Sequence, residues 1–223
     1  GAVATDLVTA FTDTNGTSAN DVYLRDTSIN QTTLISHSMA PPTRQCRQSS
    51  APSIDATGVV VAFESAADDL IALDANSARD IYFARVDAGS PYTKVRASVT
   101  STGAEGTGGD CSAASVYASG AGRVLVAFES AMTNLATVSA ATNVFLFDST
   151  TGHTTLLNQR VTPSATDAVS LGDGDARAPI VAPDGATVAF ESDATNLDVL
   201  RTDSNRKTDV FLVEVGQLAD GLV

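Results

Sequence analysis

Val61-Ala62-Phe63-Glu64-Ser65 is the stretch that decides the fold, because the chain repeats it almost unchanged twice more. The later copies are Val126-Ala127-Phe128-Glu129-Ser130 and Val188-Ala189-Phe190-Glu191-Ser192, and the three phenylalanines are 65 and 62 residues apart. Self-similarity at a nearly fixed period is typical of stacked supersecondary units, which bury their apolar faces against their neighbours. We therefore expect one continuous array of repeats rather than separate domains.

A second shared pattern follows each copy: an Asp or Asn before Leu, and then an alternating strand. The dipeptides are Asp69-Leu70, Asn134-Leu135 and Asn196-Leu197, and the strands begin at Asp80, Asn143 and Asp209. A truncated version with Asp6-Leu7 and Asp21-Val22-Tyr23-Leu24 opens the chain. Residues 1–223 thus form a single repeat segment, with a partial unit at 1–37, complete units at 50–99 and 112–160, and an incomplete unit at 176–217.

The unit at 50–99 predicts four short strands. These are Ser53-Ile54, Val59 to Ser65, Asp80 to Val86 and Thr93 to Val99, with a tight turn at residues 55–58. Four-stranded antiparallel units of this kind build β-propellers, so the sequence predicts an all-β fold with about three and a half blades. We expect either further blades of a longer propeller or a second chain to complete the ring.

Composition narrows the choice of partners. The chain has 13 basic and 26 acidic residues, a formal charge of −13, so nucleic acid and anionic membranes are repelled. No apolar run approaches the roughly 18 to 20 residues that a membrane-spanning helix needs. The first residues lack a basic segment followed by an apolar core, so we expect a signal peptide to be absent or already removed.

The loop before the alternating strand is a candidate calcium site. Oxygen side chains recur there with the spacing Asp-x-Asn-x-x-x-Asp or a longer variant, and calcium takes about six to eight oxygen ligands. The alternative is that these residues cap turns through hydrogen bonds to the backbone. The unit at 112–160 has no acidic residue in this loop, and Arg206-Lys207 add positive charge to the last one. The candidate ligands are Asp13, Asn15, Asp21, Asp74, Asn76, Asp80, Asp203, Asn205 and Asp209.

The repeated glutamates are a second candidate site. Glu64, Glu129 and Glu191 each follow the strand phenylalanine, so a propeller would arrange them as an acidic arc around its axis. Such an arc could bind a cation or a basic ligand. The alternative is that each carboxylate accepts hydrogen bonds from loop amides of its own or a neighbouring unit, because buried charges persist only when paired.

The two cysteines predict a disulfide. Cys46 and Cys111 each lie 17 residues before a repeat phenylalanine, so we expect them at equivalent places in successive blades. A bond between them would stabilise the fold by roughly 4 kcal/mol and imply an oxidising compartment. The alternative is two separate, small buried residues.

Catalytic signals are missing from the sequence. His37 and His153 are the only histidines, and neither belongs to a triad or a zinc-binding motif. We expect both to be ordinary surface residues. No catalytic residue is assigned, which argues against an enzyme.

The combined motifs resemble the bacterial TolB-like, WD40-like propeller repeats. The resemblance rests on Pro52-Ser53-Ile54, Ala62-Phe63-Glu64-Ser65, Asp74-x-Asn76 and Asp80-Ile81-Tyr82, and on their counterparts in the last unit. It implies a propeller fold but no particular activity, because such repeats occur in binding scaffolds, envelope proteins and accessory domains of secreted enzymes.

The sequence therefore favours a non-enzymatic binding scaffold, extracellular or periplasmic, whose loops at one rim contact a protein or a glycan. No cofactor is required, with calcium as the one candidate, and an oligomer is expected if another chain completes the ring. One alternative is an accessory or partial domain of a secreted carbohydrate-active or peptide-processing enzyme. The other is a structural subunit of a larger assembly.

Overall fold

The computed structural model describes residues 19–39, 48–87, 92–138, 140–160, 170–198 and 203–217. These residues form small antiparallel sheets and one turn of 3-10 helix at Val215–Gln217. The predicted all-β class is confirmed. Within the same ranges, no helix has the length and apolar character needed to cross a membrane.

The described strands form five antiparallel sheets, each made of strands consecutive in the chain. Four of them are called the first to fourth sheets in chain order, and a further two-stranded sheet lies between the third and the fourth in the sequence. The first sheet holds β1 (Tyr23–Asp26) and β2 (Gln31–Leu34). The second holds β3 (Ser49–Ile54), β4 (Val60–Ser65), β5 (Asp80–Arg85) and β6 (Lys94–Arg96). The third holds β7 (Cys111–Ala118), β8 (Val124–Ser130), β9 (Asn143–Asp148) and β10 (His153–Leu156). A hairpin of β11 (Gln159–Arg160) and β12 (Ser170–Leu171) leads to the fourth sheet, with β13 (Ala176–Val181), β14 (Thr187–Ser192) and β15 (Asp209–Glu214).

The predicted turn between β3 and β4 is confirmed, and Asp55 shows why the sequence forms it. The Asp55 carboxylate accepts hydrogen bonds from the amides of Thr57, Val59 and Val60 at 2.9, 2.8 and 2.6 Å. Gly58 has a φ of +75°, a conformation that residues with a side chain rarely adopt. Acceptor and glycine together reverse the chain within a few residues.

The apolar core lies between the sheets, which stack in chain order. One cluster joins the first sheet to the second, another joins the second to the third, and the last joins the third to the fourth. Each repeat phenylalanine lies in one of these layers and stacks on an aromatic ring of the adjacent strand, with ring centroids 5.8 to 6.0 Å apart. The repeated motif is therefore the packing element of each sheet. The ring pairs are Phe63 with Tyr82, Phe128 with Phe145, and Phe190 with Phe211.

Candidate functional site

The junction between successive sheets is built from one backbone hydrogen bond that recurs three times. In each case the first residue of a new sheet donates its amide to a carbonyl that precedes a strand of the sheet before it, namely β1 in the first sheet and the third strand in the second and third sheets. The distances are 2.8, 2.8 and 3.0 Å, so the relative position of neighbouring sheets repeats as well. The pairs are Ser49 with Asn20, Cys111 with Arg79, and Ala176 with Thr142.

The segments before β7 and β13 complete two of these junctions. Asp110 accepts the amide of Arg79 at 2.9 Å, and Asp175 accepts the amide of Thr142 at 3.0 Å. A Cβ at the preceding Gly109 would lie 2.4 Å from the carbonyl oxygen of Ala131, so only glycine fits there. The Gly-Asp sequences are thus packed parts of the junction.

Three carboxylates meet at the rim of the second sheet. Oxygen atoms of Asp74, Asp80 and Glu105 all lie within 4.8 Å of one another. The Arg96 guanidinium from β6 lies among them: Nη1 is 2.5 Å from Glu105, 3.5 Å from Asp74 and 3.6 Å from Asp80. The Arg96 side chain is 8% exposed, so its charge is shielded from water. Arginine therefore occupies the position between the carboxylates that a bound cation would take.

The pKa of Asp80, the buried carboxylate of this cluster, is unusually high. Burial raises the pKa of Asp80 to about 6, although hydrogen bonds from the Ser98 hydroxyl and the Asn76 amide oppose the shift. Burial also raises the pKa of Asp74, which accepts a hydrogen bond from the Tyr82 hydroxyl. Because the folded-state pKa of Asp80 lies above the unfolded value of 3.8, this residue favours the folded state more as the pH falls from 6 towards 4.

The predicted calcium ligands take part in turn contacts. Asn76 donates its side-chain amide to Asp80 at 3.0 Å and to the carbonyl of Gly106 at 2.8 Å, while its side-chain oxygen accepts the Ala78 amide. In the last loop, Asp203 accepts the amide of Asn205 at 2.8 Å. These contacts match the turn-capping alternative.

The remaining predicted ligands are distributed over several sheets. Asp21 lies beside the first sheet and Asp209 begins β15 in the fourth, while Asp13 and Asn15 lie outside the described residues. Among the residues that the structure describes, Asp74, Asp80 and Glu105 form the one acidic group compact enough to hold an ion. Glu105 was not predicted, because it lies in the connection to the next unit and has no counterpart in the repeated loop. Calcium binding by the Asp-x-Asn loops stays a prediction.

The Asp or Asn that begins the third strand has a structural role that the sequence spacing did not show. Asp80 accepts a hydrogen bond from Ser98, whose hydroxyl oxygen also accepts the Ile81 amide at 3.2 Å. In the third sheet, Asn158 replaces the serine. Its side-chain amide donates to Asn143 at 2.9 Å, and its side-chain oxygen accepts the backbone amide of Val144 at 3.0 Å. A hydrogen-bonded pair of polar side chains therefore lies at the start of the third strand in each complete sheet.

The repeated glutamates link neighbouring sheets. Glu64 accepts the amide of Ala113 at 2.9 Å, and Glu129 accepts the amide of Ala178 at 2.6 Å. Both alanines sit at a bulge in the first strand of the next sheet, with φ values of 54° and 51°. The hydrogen-bond alternative is thus observed for two of the three glutamates. The Glu191 side chain is 48% exposed and lies 3.7 Å from Arg177 of its own sheet.

Cys111 is fully buried, and its sulfur forms no disulfide with any residue that the structure describes. Its sulfur lies 3.2 Å from the Ser130 hydroxyl oxygen and 3.5 Å from the Met132 sulfur, and burial raises its pKa to about 12. A thiol with so high a pKa is protonated and unreactive at neutral pH.

The predicted equivalence of Cys46 and Cys111 is wrong. Cys111 pairs across the sheet with Ser130 as Ser49 pairs with Ser65, so Ser49 is its counterpart. Cys111 precedes the repeat phenylalanine by 17 residues and Ser49 precedes it by 14, because the hairpin of the third sheet is longer. Cys46 itself lies outside the described residues, and a disulfide between the two cysteines stays a prediction.

The expectation of two surface histidines is correct only for His153, which is exposed. His37 is 1% exposed, and Nζ of Lys94 lies 2.7 Å from its Nδ1 and 2.9 Å from its Nε2. Its Nδ1 also lies 2.9 Å from the carbonyl oxygen of Ser38. Burial lowers the pKa of His37; the Ser38 carbonyl opposes this shift, and the Lys94 charge adds to it.

We expect the His37 site to weaken the fold in mild acid. Below pH 6.5, the ordinary pKa of histidine, the unfolded state takes up a proton at His37 that the folded state resists. The free energy of unfolding therefore decreases as the pH is lowered, by at most about 1.4 kcal/mol per pH unit. Urea unfolding from pH 7.5 down to 5 measures this slope. The stability of the matched variant His37→Gln should lack this pH dependence and keep the opposite pH dependence that Asp80 contributes. Identical slopes for both proteins would contradict the assignment.

A surface cleft of about 580 Å³ lies where the second and third sheets meet. Thr100 and Ser101, from the connection after β6, line one part of it, and residues 133–138, after β8, line the rest. Leu135 is 3% exposed and anchors this loop in the core, while Thr137 is exposed. The lining carries hydroxyl, amide and methyl groups and no charge. No protein-family model and no curated protein matches the chain, so function is inferred from these contacts.

Proposed function

We propose that the chain is a β-propeller segment in which the four sheets are successive blades. Two observations support this class: each complete sheet has four consecutive antiparallel strands, and the sheets stack in chain order through one repeated backbone hydrogen bond. Within this class, the Ala-Phe-Glu-Ser, Asp-x-Asn and Asp-Ile-Tyr motifs favour the TolB-like, WD40-like repeats.

We propose a binding scaffold as its function, without catalysis. The proposal rests on the structural roles of the repeated carboxylates. Glu64 and Glu129 each hold the bulge of the next sheet, and Arg96 neutralises the cluster at Asp80. The acidic residues that recur along the sequence thus join sheets and close turns. Loops between the strands are left to present the contacts to a partner.

The cleft between the second and third sheets is the proposed binding site. Its uncharged, hydroxyl-rich lining suits a neutral glycan, which is recognised through many hydrogen bonds to polar groups. A polar protein loop is the other candidate partner. We propose a location outside the cytoplasm, in the periplasm or in the extracellular space, because the TolB-like resemblance favours it.

A blocking substitution tests the cleft. Thr137→Trp fills it, and we expect binding of any ligand found on a glycan array to weaken at least about tenfold, a change of roughly 1.4 kcal/mol. The control is Ala121→Trp, an exposed position in the turn at the opposite end of β8. Affinities are measured by isothermal titration calorimetry. Equal affinities for the two variants would exclude the cleft, and an array without a glycan ligand would shift the proposal to a protein partner.

A further inference from the structure

The outer face of the fourth sheet carries side chains that are covered at the equivalent positions of the two preceding sheets. Val210 and Leu212 on β15 are 73% and 72% exposed, whereas their counterparts are between 0% and 4% exposed. Burial of such apolar side chains stabilises a fold, so this face is costly to leave in water. By strand register, the counterparts are Ile81 and Val144 for Val210, and Phe83 and Leu146 for Leu212.

In both preceding sheets the cover is the opposite face of the next sheet. Between the second and third sheets, Ile81 lies in one cluster with Val126 and Phe128. Between the third and fourth sheets, Val188 and Phe190 take the same place. These covering residues are the valine and the phenylalanine of the repeated motif. The sheets therefore stack head to tail, with the motif of each sheet packed on the outer face of the sheet before it.

The fourth sheet also keeps the glutamate that holds the next sheet elsewhere in the stack. In the second and third sheets, this glutamate accepts the amide of an alanine at the bulge of the following sheet. Glu191 has the same place in the motif and in the strand register. Its 3.7 Å contact with Arg177 does not prevent this role, because Glu64 accepts its amide while lying 3.7 Å from Arg79.

The acceptor of the recurring backbone hydrogen bond is present in the fourth sheet too. In the second and third sheets it is the carbonyl before the third strand, at Arg79 and Thr142, and it accepts the first amide of the next sheet. Thr208 holds this position directly before β15. The fourth sheet thus offers the carbonyl, the carboxylate and the apolar side chains with which the preceding sheets hold their successors.

These groups define the surface that would fit. It is a sheet with the valine and phenylalanine of the motif on one face and a bulged first strand whose amide can be donated. The described part of the chain has three such sheets, and the preceding sheet already covers the motif residues of each, which are at most 3% exposed. The described sheets of a second copy are therefore excluded as the occupant.

We propose that the outer face of the fourth sheet docks a further four-stranded sheet of the same repeat type, which extends the stack head to tail. Val210 and Leu212 pack against the valine and phenylalanine of that sheet, and Glu191 accepts the amide at its bulge. This inference goes beyond the proposed function, because the cleft lies between the second and third sheets and plays no part in the contact.

A tethered copy of the third unit tests the docking. A second copy of residues 108–160 is joined to the end of the full chain through a flexible Gly-Ser linker of about 20 residues, which makes the contact intramolecular. The copy carries Cys111→Ala, since the equivalent residue of the fourth sheet is Ala176. The probe of the face is a thiol introduced by Leu212→Cys, and its rate of reaction with a maleimide is measured.

We expect the thiol of Leu212→Cys to react at least about tenfold more slowly in the tethered protein than in the full chain alone, because access to a covered side chain requires local opening. Leu73→Cys is the matched control and should react equally fast in both proteins, since Leu73 is 89% exposed and lies in a loop of the second sheet. The chain without an introduced cysteine gives the background reaction of its native thiols.

Two further variants of the tethered protein test the polar contact. Glu191→Ala removes the acceptor and should raise the reaction rate of Leu212→Cys about tenfold, the loss expected for one hydrogen bond to a charged group. Glu191→Gln keeps an acceptor oxygen and should raise the rate less. Equal rates with glutamate and alanine at this position would contradict the role of Glu191.

Equal reactivity of Leu212→Cys in the tethered protein and in the full chain would overturn the proposal. An appended copy that circular dichroism and limited proteolysis show to be unfolded has the same meaning, because the face then fails to hold a sheet of the stated kind. Thr137→Trp should leave the protection unchanged, so failure of the cleft hypothesis and failure of the docking are distinguishable.

Discussion

Replacing Arg96 with methionine is expected to lower the free energy of unfolding by about 3 to 5 kcal/mol, the usual cost of leaving buried charges without their partner. Arg96 contacts three carboxylates, and Asp80 among them is fully buried. Methionine preserves most of the side-chain length, so the loss reports the charge rather than a cavity. Chemical denaturation at pH 7.5 measures the change.

The matched control is Arg85→Met. Arg85 also pairs with a carboxylate, Asp87, at 2.7 Å, but both side chains are partly exposed, so removal of this pair should cost less than about 1 kcal/mol. A similar loss for both variants would show that burial of the Arg96 cluster contributes little.

Calcium should distinguish the native cluster from its variant. In Arg96→Met three carboxylates remain within 4.8 Å of one another without a counter-charge, so millimolar calcium is expected to recover part of the lost stability. Calcium should raise the stability of the native protein much less, because the Arg96 guanidinium already lies between the three carboxylates. Equal stabilisation of both proteins would instead point to a cation at another loop, such as the one at Asp203.

Acid should also reduce the effect of Arg96→Met. Removing the guanidinium takes away a positive charge that favours ionised Asp80, so the pKa of Asp80 rises above about 6 in the variant. Protonation then relieves the unpaired charge, and the difference in unfolding free energy between variant and native protein should shrink between pH 7.5 and pH 5. A difference that stays constant with pH would contradict this account.

Phe128→Ala is expected to cost about 3 to 5 kcal/mol, as large-to-small changes in a packed core do. Phe128 is fully buried in the layer between the second and third sheets, and its ring centroid lies 5.8 Å from that of Phe145. Loss of the ring removes apolar contacts with two sheets and leaves a cavity. Urea unfolding gives the change in free energy.

Phe211→Ala provides the comparison. Phe211 stacks on Phe190 at the same centroid distance, but it lies in the fourth sheet and is only partly buried. We expect a clearly smaller loss than for Phe128→Ala. Equal losses would mean that the partial exposure of Phe211 does not lower its contribution to stability.

The strands were predictable because their signals are local. Alternation, the repeated Ala-Phe-Glu-Ser motif and the turn at Asp55 each act within a few residues, and β4 and β5 lie within two residues of their expected bounds. Local patterns of this kind do not depend on which residues the rest of the chain brings nearby.

The contacts of the candidate site were not predictable in the same way. The burial of His37 depends on Lys94, which lies 57 residues further along the chain. Glu105 joins Asp74 and Asp80 through the connection between units, where the sequences do not repeat. The cysteine positions were misplaced because equal spacing in sequence hid a longer hairpin. The first two depend on contacts between distant parts of the chain, and the third depends on the length of one hairpin.

The junction between sheets has a consequence for how such a chain can vary. Its donors are the main-chain amides of a serine, a cysteine and an alanine, and its acceptors are the carbonyls of an asparagine, an arginine and a threonine. Because every peptide unit except proline's carries both groups, this hydrogen bond makes no demand on the side chains of its six residues, and the specific residues of the joint are the neighbouring Gly-Asp segments and glutamates. A whole unit can therefore be inserted or deleted between two others while each remaining joint keeps its geometry, provided that the unit brings its own Gly-Asp segment and glutamate.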